Sequence, residues 1–314
     1  MAGVSRTHIV LLLLLALCLG GIAGIGFQRQ VGVWRVLRSA GTPSPPMPAP
    51  PPAPARVEVP HDLQGHLQLF ALAGQSNMVG ISPLPAEQPP LPRAFVFGND
   101  YRWHEAREPV DDPKDQVDLV SRDVSPHLGT SPGVAFARAV LEAKPEAALG
   151  LVPCAKGNTT IREWGRALSD DSLYGSCLKR LGAAASMGQV AGVLFFQGEA
   201  DAYDPALAKG RTVSVDDYGA RFTAFVLDLR RDLGRPRLPV VFARIGTTTT
   251  PDGFPNWRRI QEQQEAVRLP CVAMIETADL PTWDNVHYTT ESYQEIGRRF
   301  ARSYLALLAA QPCE

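Results

Sequence analysis

Charge of one sign is missing from this sequence. Its 31 Lys and Arg residues stand against 32 Asp and Glu, for a formal net charge of −1. That balance gives no electrostatic footprint for nucleic acid and excludes an interaction driven by bulk charge. Cysteine is scarce as well: of five, Cys18 stands apart near the N-terminus, leaving Cys154, Cys177, Cys271 and Cys313. None shows C-x-x-C or Cys/His ligand spacing, so neither a zinc site nor any other metal or cofactor is expected. Four cysteines allow three pairings, and the sequence does not choose among them or between disulfides and buried free thiols. No internal repeat is visible.

What is present suits a large core, since 45% of the 314 residues are hydrophobic and 20% charged. The start of the chain is a segment of another kind. Arg6 and His8 precede an unbroken apolar stretch from Ile9 to about Gly26, which reads either as a secretory signal or as a short membrane anchor. Both readings mean export, with a membrane tether in the second case and a catalytic domain outside the cytoplasm in either. The proline-rich tract "GTPSPPMPAPPPAPARVEVP" follows, an extended spacer by composition. The chain thus divides into a signal or anchor at 1–26, a linker at 27–60 and a folded domain at 61–314.

Within that domain short apolar runs recur: "LQLFALAG", "AFVFG", "AALGLVPCA", "VAGVLFFQG", "LPVVFARIG" and "LPCVAMIET". Such near-continuous runs are what strands buried on both faces of a parallel sheet require. Between them lie segments with helical spacing, such as Val134, Ala137 and Leu141, or Tyr293, Ile296, Phe300 and Tyr304. The alternation predicts an α/β fold, a three-layer doubly wound sandwich with a mainly parallel central sheet. Ligands of such sheets lie outside the carboxyl ends of the strands, so the loops after the strands are where chemistry is expected.

Those loops are rich in suitable groups. "GQSNM" sets Ser76 after the first strand, although Met78 stands where a nucleophile elbow of the G-x-S-x-G kind has its second glycine. "VPCAKGNTTIREW" offers Gly157, where backbone can approach a ligand closely. "LFFQGEAD" crowds Gln197, Gly198, Glu199 and Asp201 at a strand end, and Gln197 brings an uncharged N–H donor suited to an oxyanion. "TWDNVHY" places Asp284 and His287 three residues apart ahead of the last helix, the types needed for a base and the carboxylate that orients it. Singly each loop is explained by turn chemistry or capping. Together they make a complete set for acyl transfer in consistent topological places.

"GQSNM", "QGEAD" and "DNVHY" together resemble the sialate O-acetylesterase and acetyl xylan esterase branch, of the carbohydrate esterase family 6 type, within the SGNH hydrolases. The resemblance covers roughly Leu67 to Ala309 and implies an SGNH, flavodoxin-like fold and removal of O-acetyl groups from a carbohydrate. It further implies Ser76 as nucleophile, His287 as general base and Asp284 as its orienting partner. The oxyanion hole would be the backbone N–H groups of Ser76 and Gly157 with the Gln197 side chain, supported by Asn77 and Glu199. Glu199 is expected to pair with Arg162 or Arg244. One departure is visible, since many relatives carry a second glycine where this chain has Asn158. The polar stretch from Gly98 to Gly133 is expected to wall the substrate cleft, and Trp103, Trp164 and Trp283 are aromatic surfaces that either pack or meet a sugar. Other readings are an SGNH hydrolase of lipid or aryl esters, a catalytically silent carbohydrate-binding module, and a surface interaction protein.

Overall fold

The computed structural model describes residues 54–203, 212–310 and 312–314. The expectations for 1–26 and for most of the linker fall outside these. The end of that linker does not behave as a spacer. Val57 donates its N–H to the Trp103 carbonyl at 2.9 Å, Glu105 donates to Ala55 at 3.1 Å and Val59 is buried. The compact unit therefore begins at Pro54, seven residues before the expected start at 61. Proline sets backbone φ without preventing the alternate residues from pairing with a sheet edge.

Seven strands form one sheet in the order β3-β2-β4-β1-β5-β6-β7. They are β1 (Leu67–Gly74), β2 (Ala94–Phe97), β3 (Trp103–Glu105), β4 (Leu149–Pro153), β5 (Gly188–Phe196), β6 (Val240–Ala243) and β7 (Val272–Ile275). Each of the six apolar runs became a parallel strand. β3, too short and polar to announce itself, pairs antiparallel with β2 at the edge. The helices are α1 (Ser76–Val79), α2 (Gly133–Ala143), α3 (Leu173–Ala184), α4 (Tyr218–Asp232), α5 (Trp257–Glu265) and α6 (Thr290–Ala310). No helix among the described residues is long and apolar enough to cross a membrane.

Register shows how the layers form. Phe70 pairs with Gly192 and Ala73 with Phe195, so Phe70 and Phe195 point to opposite faces of the sheet. On one face Phe70 meets Phe136 of α2 and Tyr304 of α6 edge-on at 4.8 and 5.0 Å. On the other, Phe195 packs on Phe222 and Phe225 of α4 at 5.2 and 5.1 Å, with Trp164 alongside at 5.9 Å. Helices on both faces of a mostly parallel sheet make the expected three-layer α/β sandwich.

Two disulfides pin the unit. Cys154 just after β4 joins Cys177 of α3, and Cys271 before β7 joins Cys313. The order of strands carries the functional consequence. The chain leaves β1 towards β2 and β4 and later returns to the other side through β5, so β4, β1 and β5 are neighbours at the switch point. The loops after these three strands converge there.

Candidate active site

The first of these loops turns sharply because of Gly74. Its φ is +129°, and a Cβ there would lie 2.1 Å from the Phe196 carbonyl oxygen, so a side chain is excluded by both backbone and space. The turn is fixed by Gln75, which donates its N–H to Phe196 at 2.8 Å. Its side-chain oxygen accepts the N–H groups of Ala200 at 3.2 Å and Gly198 at 3.4 Å. Ser76 then opens α1, where the first N–H groups have no carbonyl within the helix to take them.

His287 reaches Ser76 from the loop before α6. Its Nε2 lies 2.9 Å from Ser76 Oγ, and its Nδ1 lies 2.7 Å from Asp284 Oδ2. Asp284 Oδ1 accepts the backbone N–H groups of Val286 at 2.8 Å and His287 at 2.6 Å. Burial pushes the Asp284 carboxyl up, but the His287 side chain and these backbone donors outweigh it and leave the pKa below its ordinary value. An ionised carboxylate holding one imidazole nitrogen leaves the other to take a proton from the hydroxyl it faces.

Asn77 explains why an amide follows the serine. Its Nδ2 donates to Glu199 Oε1 at 2.5 Å and to the Val286 carbonyl at 3.1 Å, while its Oδ1 accepts the Tyr293 hydroxyl at 2.6 Å. One buried side chain thus ties the Ser76 turn to the loop after β5, to the residue beside His287, and to α6.

Glu199 does not take the expected arginine. Arg162 pairs with Asp217 at 3.2 Å, and Arg244 with Glu265 and Glu276 at 2.7 and 3.2 Å. Glu199 is itself only 2% exposed, and both arginines are committed to other carboxylates, Arg162 near the surface and Arg244 within a buried position of its own. Burial pushes the Glu199 carboxyl up to about 7 against the lowering effect of Asn77, so an amide donor suffices where a cation would otherwise be required.

Gly157 fits the second loop close to Ser76. A Cβ added to it would come 3.8 Å from Ser76 Cβ and 2.4 Å from Asp123 Oδ2. Its N–H donates to that Asp123 oxygen at 2.8 Å. Asn158 beside it has φ +59°, the left-handed region that asparagine tolerates better than most residues. An asparagine therefore suits this turn without a glycine. The loop is held from behind: Thr160 and Glu163 form a capping box, Trp164 donates to Thr159 Oγ1 at 3.2 Å, and Asp201 Oδ2 accepts the Ile161 N–H at 2.7 Å.

Gln197 is placed differently from the oxyanion donor expected. The side chain is fully buried, and its Nε2 donates to the Thr159 carbonyl and Asp201 Oδ2, each at 2.8 Å, with Gln75 Oε1 at 3.3 Å. Both hydrogens are committed to linking the three loops, so the amide stands behind the cavity wall. Burial raises the Asp201 carboxyl to about 6, and the Gln197 bond counters it.

The cavity in front of Ser76 has a volume of about 320 Å³ and is lined by Gln75, Asp123, Lys156, Gly157, Glu199 and His287, among others. A space of that size lies in the range of small-molecule sites. The stretch after Gly98 does contribute to it, through Asp123 and Ser125. Among the tryptophans, Trp164 is core and Trp103 packs on Phe97 at 5.1 Å. Trp283 is 43% exposed, stacks on His287 at 6.3 Å and anchors its Nε1 on the Ile81 carbonyl at 2.6 Å. Among the described residues no three His, Cys, Asp or Glu side chains gather to hold a metal ion.

Sequence reasoning overlooked Gln75, Asp123 and Tyr293. Gln75 lay inside the quoted motif. Asp123 lay in a stretch without periodicity, where no pattern marks which residue turns inward.

Residues 66–306 match the model of the family described as carbohydrate esterase, sialic acid-specific acetylesterase. A probable carbohydrate esterase of Arabidopsis thaliana is 33% identical over 259 residues, covering 76% of this chain and 90% of the relative. A crystal structure of an Arabidopsis thaliana protein superposes with a TM-score of 0.65 at 31% identity, covering 76% of this chain and 98% of that one. NanS, at 18% identity and a TM-score of 0.59, covers 79% of this chain and 99% of its own, a likeness of fold.

Proposed function

We propose, for a chain that belongs to the carbohydrate esterase family of sialic acid-specific acetylesterases and is a carboxylic ester hydrolase, that Ser76, His287 and Asp284 carry the reaction. The observation that carries the reading is the continuous hydrogen-bonded chain from the Ser76 hydroxyl through His287 to Asp284, at 2.9 and 2.7 Å.

Ser76 Oγ attacks the acetyl carbonyl as His287 Nε2 takes its proton, and Asp284 holds the imidazole in the tautomer this requires. The sugar alcohol leaves with the proton that His287 returns, and a water deprotonated by the same nitrogen then releases acetate. The tetrahedral oxyanion is received by the backbone N–H groups of Ser76 and Gly157. Gln197 acts on this site as a positioning residue, because it fixes the Thr159 end of the Gly157 loop and the Gln75 turn together. Glu199 and Asn77 support the serine in the same manner.

The acyl donor is an acetylated carbohydrate. We also place the domain outside the cytoplasm, on the apolar stretch from Ile9 to about Gly26 and on two disulfides, which persist in oxidising compartments.

The test is release of acetate by the full chain from p-nitrophenyl acetate, compared with butyrate and octanoate. Activity is expected to fall with acyl length and to drop at least about 10³-fold in Ser76→Ala. A preference for octanoate would favour a lipid or aryl ester hydrolase, and equal residual rates in both proteins would favour a silent binding module.

A further inference from the structure

Asp123 is assigned nothing in the reaction above, yet its carboxylate sits within the reaction cavity. Its Oδ2 accepts the Gly157 N–H at 2.8 Å, and its Oδ1 accepts the Ser125 N–H at 3.0 Å. The side chain is mostly buried, with 8% of the residue exposed, and it lines the same cavity as Ser76, Glu199 and His287. Gly157 is the glycine against which both groups meet: a Cβ there would touch Asp123 on one side and Ser76 on the other. The N–H meant for the oxyanion is therefore already occupied by an acid.

That occupancy has a chemical consequence. One N–H serves one strong acceptor well, so the carbonyl oxygen of an ester gains Gly157 only when Asp123 gives it up. A carboxylate left beside a developing oxyanion also opposes it, unless some group satisfies the carboxylate. Among the described residues the one lysine or arginine lining the cavity is Lys156, and its Nζ is turned to the Arg122 carbonyl. A hydroxyl on the substrate, next to the ester, is the group that can take over: it donates to Asp123 and adds no charge.

Resting on the esterase reading, we propose that Asp123 is a specificity-determining residue that releases the Gly157 N–H in exchange for a hydroxyl adjacent to the acetyl group, selecting uncharged polyol acetates. Aryl acetates have no such hydroxyl and leave the carboxylate uncompensated. Acetylated sugars bearing their own carboxylate bring a like charge to Asp123 and are disfavoured.

The experiment measures kcat/KM of the full chain and of Asp123→Ala and Asp123→Asn on three probes. These are p-nitrophenyl acetate, a mono-O-acetylated methyl xyloside with a free neighbouring hydroxyl, and an O-acetylated sialic acid. Asp123→Ala is expected to gain about tenfold on the aryl acetate and to lose about tenfold on the xyloside, by the worth of a hydrogen bond to a charged group. Asp123→Asn keeps an acceptor without the charge, so it should retain most of the xyloside rate and gain on the acidic sugar. Equal changes on all three probes, or a wild-type preference for the acidic sugar, would overturn the assignment. Ser76→Ala separates the two levels. If wild-type activity vanishes in that variant while the Asp123 ratios stay flat, only the role of Asp123 fails. If the wild type exceeds Ser76→Ala on none of the probes, the esterase reading fails and the role of Asp123 falls with it.

Discussion

Asn77 concentrates much of the site in one side chain. Its amide reaches Glu199, Val286 and Tyr293, three groups from three separate parts of the chain. Truncation leaves Glu199 and Tyr293 buried and without this partner, at about 1–3 kcal/mol for each unsatisfied group, and frees the part-buried Val286 carbonyl. Asn77→Ala is therefore expected to lower the thermal midpoint and, by letting the Ser76 turn and the His287 loop drift apart, to cost about 10²-fold in kcat. KM should change little, because Asn77 does not line the cavity. Circular dichroism melting alongside acetate-release kinetics checks both; unchanged kcat in a destabilised variant would make Asn77 a purely structural clamp. Glu199 behaves as its neighbourhood dictates, for a carboxyl pushed up by burial to about 7 accepts from an amide without requiring a cation.

Between elements, the sequence was most readable where one physical requirement dominates. Strands buried on both faces must be apolar throughout, and the six runs that satisfy this became β1, β2 and β4 to β7. β3 escaped because Trp103–Glu105 is an edge strand whose pairing depends on β2 and on the segment before Val59. The loops that converge could be named because parallel topology places them at strand ends; Ser76, Asp284 and His287 meet within hydrogen-bond distance. What could not be read is where a polar side chain points. Gln197 and Asp123 are both polar residues in loops after strands, yet the Gln197 amide turns inward to donate between loops and the Asp123 carboxylate turns onto the Gly157 N–H. That choice rests on backbone contacts many residues away, which no local pattern encodes. The cysteine pairing was equally hidden, since it depends on which side of the sheet α3 covers.

The whole unit carries an unusual load of buried acid, and this sets its response to pH. Burial raises Glu108 to about 8, Asp111 and Glu199 to about 7, and Asp201 to about 6. A carboxyl whose folded pKa lies above its unfolded value holds its proton longer in the folded state. Stability is thus greatest below the unfolded pKa of about 4 as far as these groups are concerned, and is lost as pH rises through about 6 to 8. Asp279, paired with Arg299, and Glu295, among Arg302, Arg298 and Arg299, are held near 2 and act oppositely. They give stability above their unfolded pKa that is lost on acidification, although Asp279 is exposed and screened by solvent. The thermal midpoint should therefore peak near about pH 5 and fall steadily to about pH 8.5, with a shallower fall in Glu199→Gln. A midpoint that rises across that range in calorimetry would contradict the assignment of these acids. Ser76 as the nucleophile is tested by covalent capture with a fluorophosphonate, mapped by peptide mass spectrometry on the full chain. A single adduct on Ser76 is expected, slowed in His287→Ala and absent in Ser76→Ala. An adduct on another residue, or hydrolysis of acetyl esters that persists in Ser76→Ala, would contradict it.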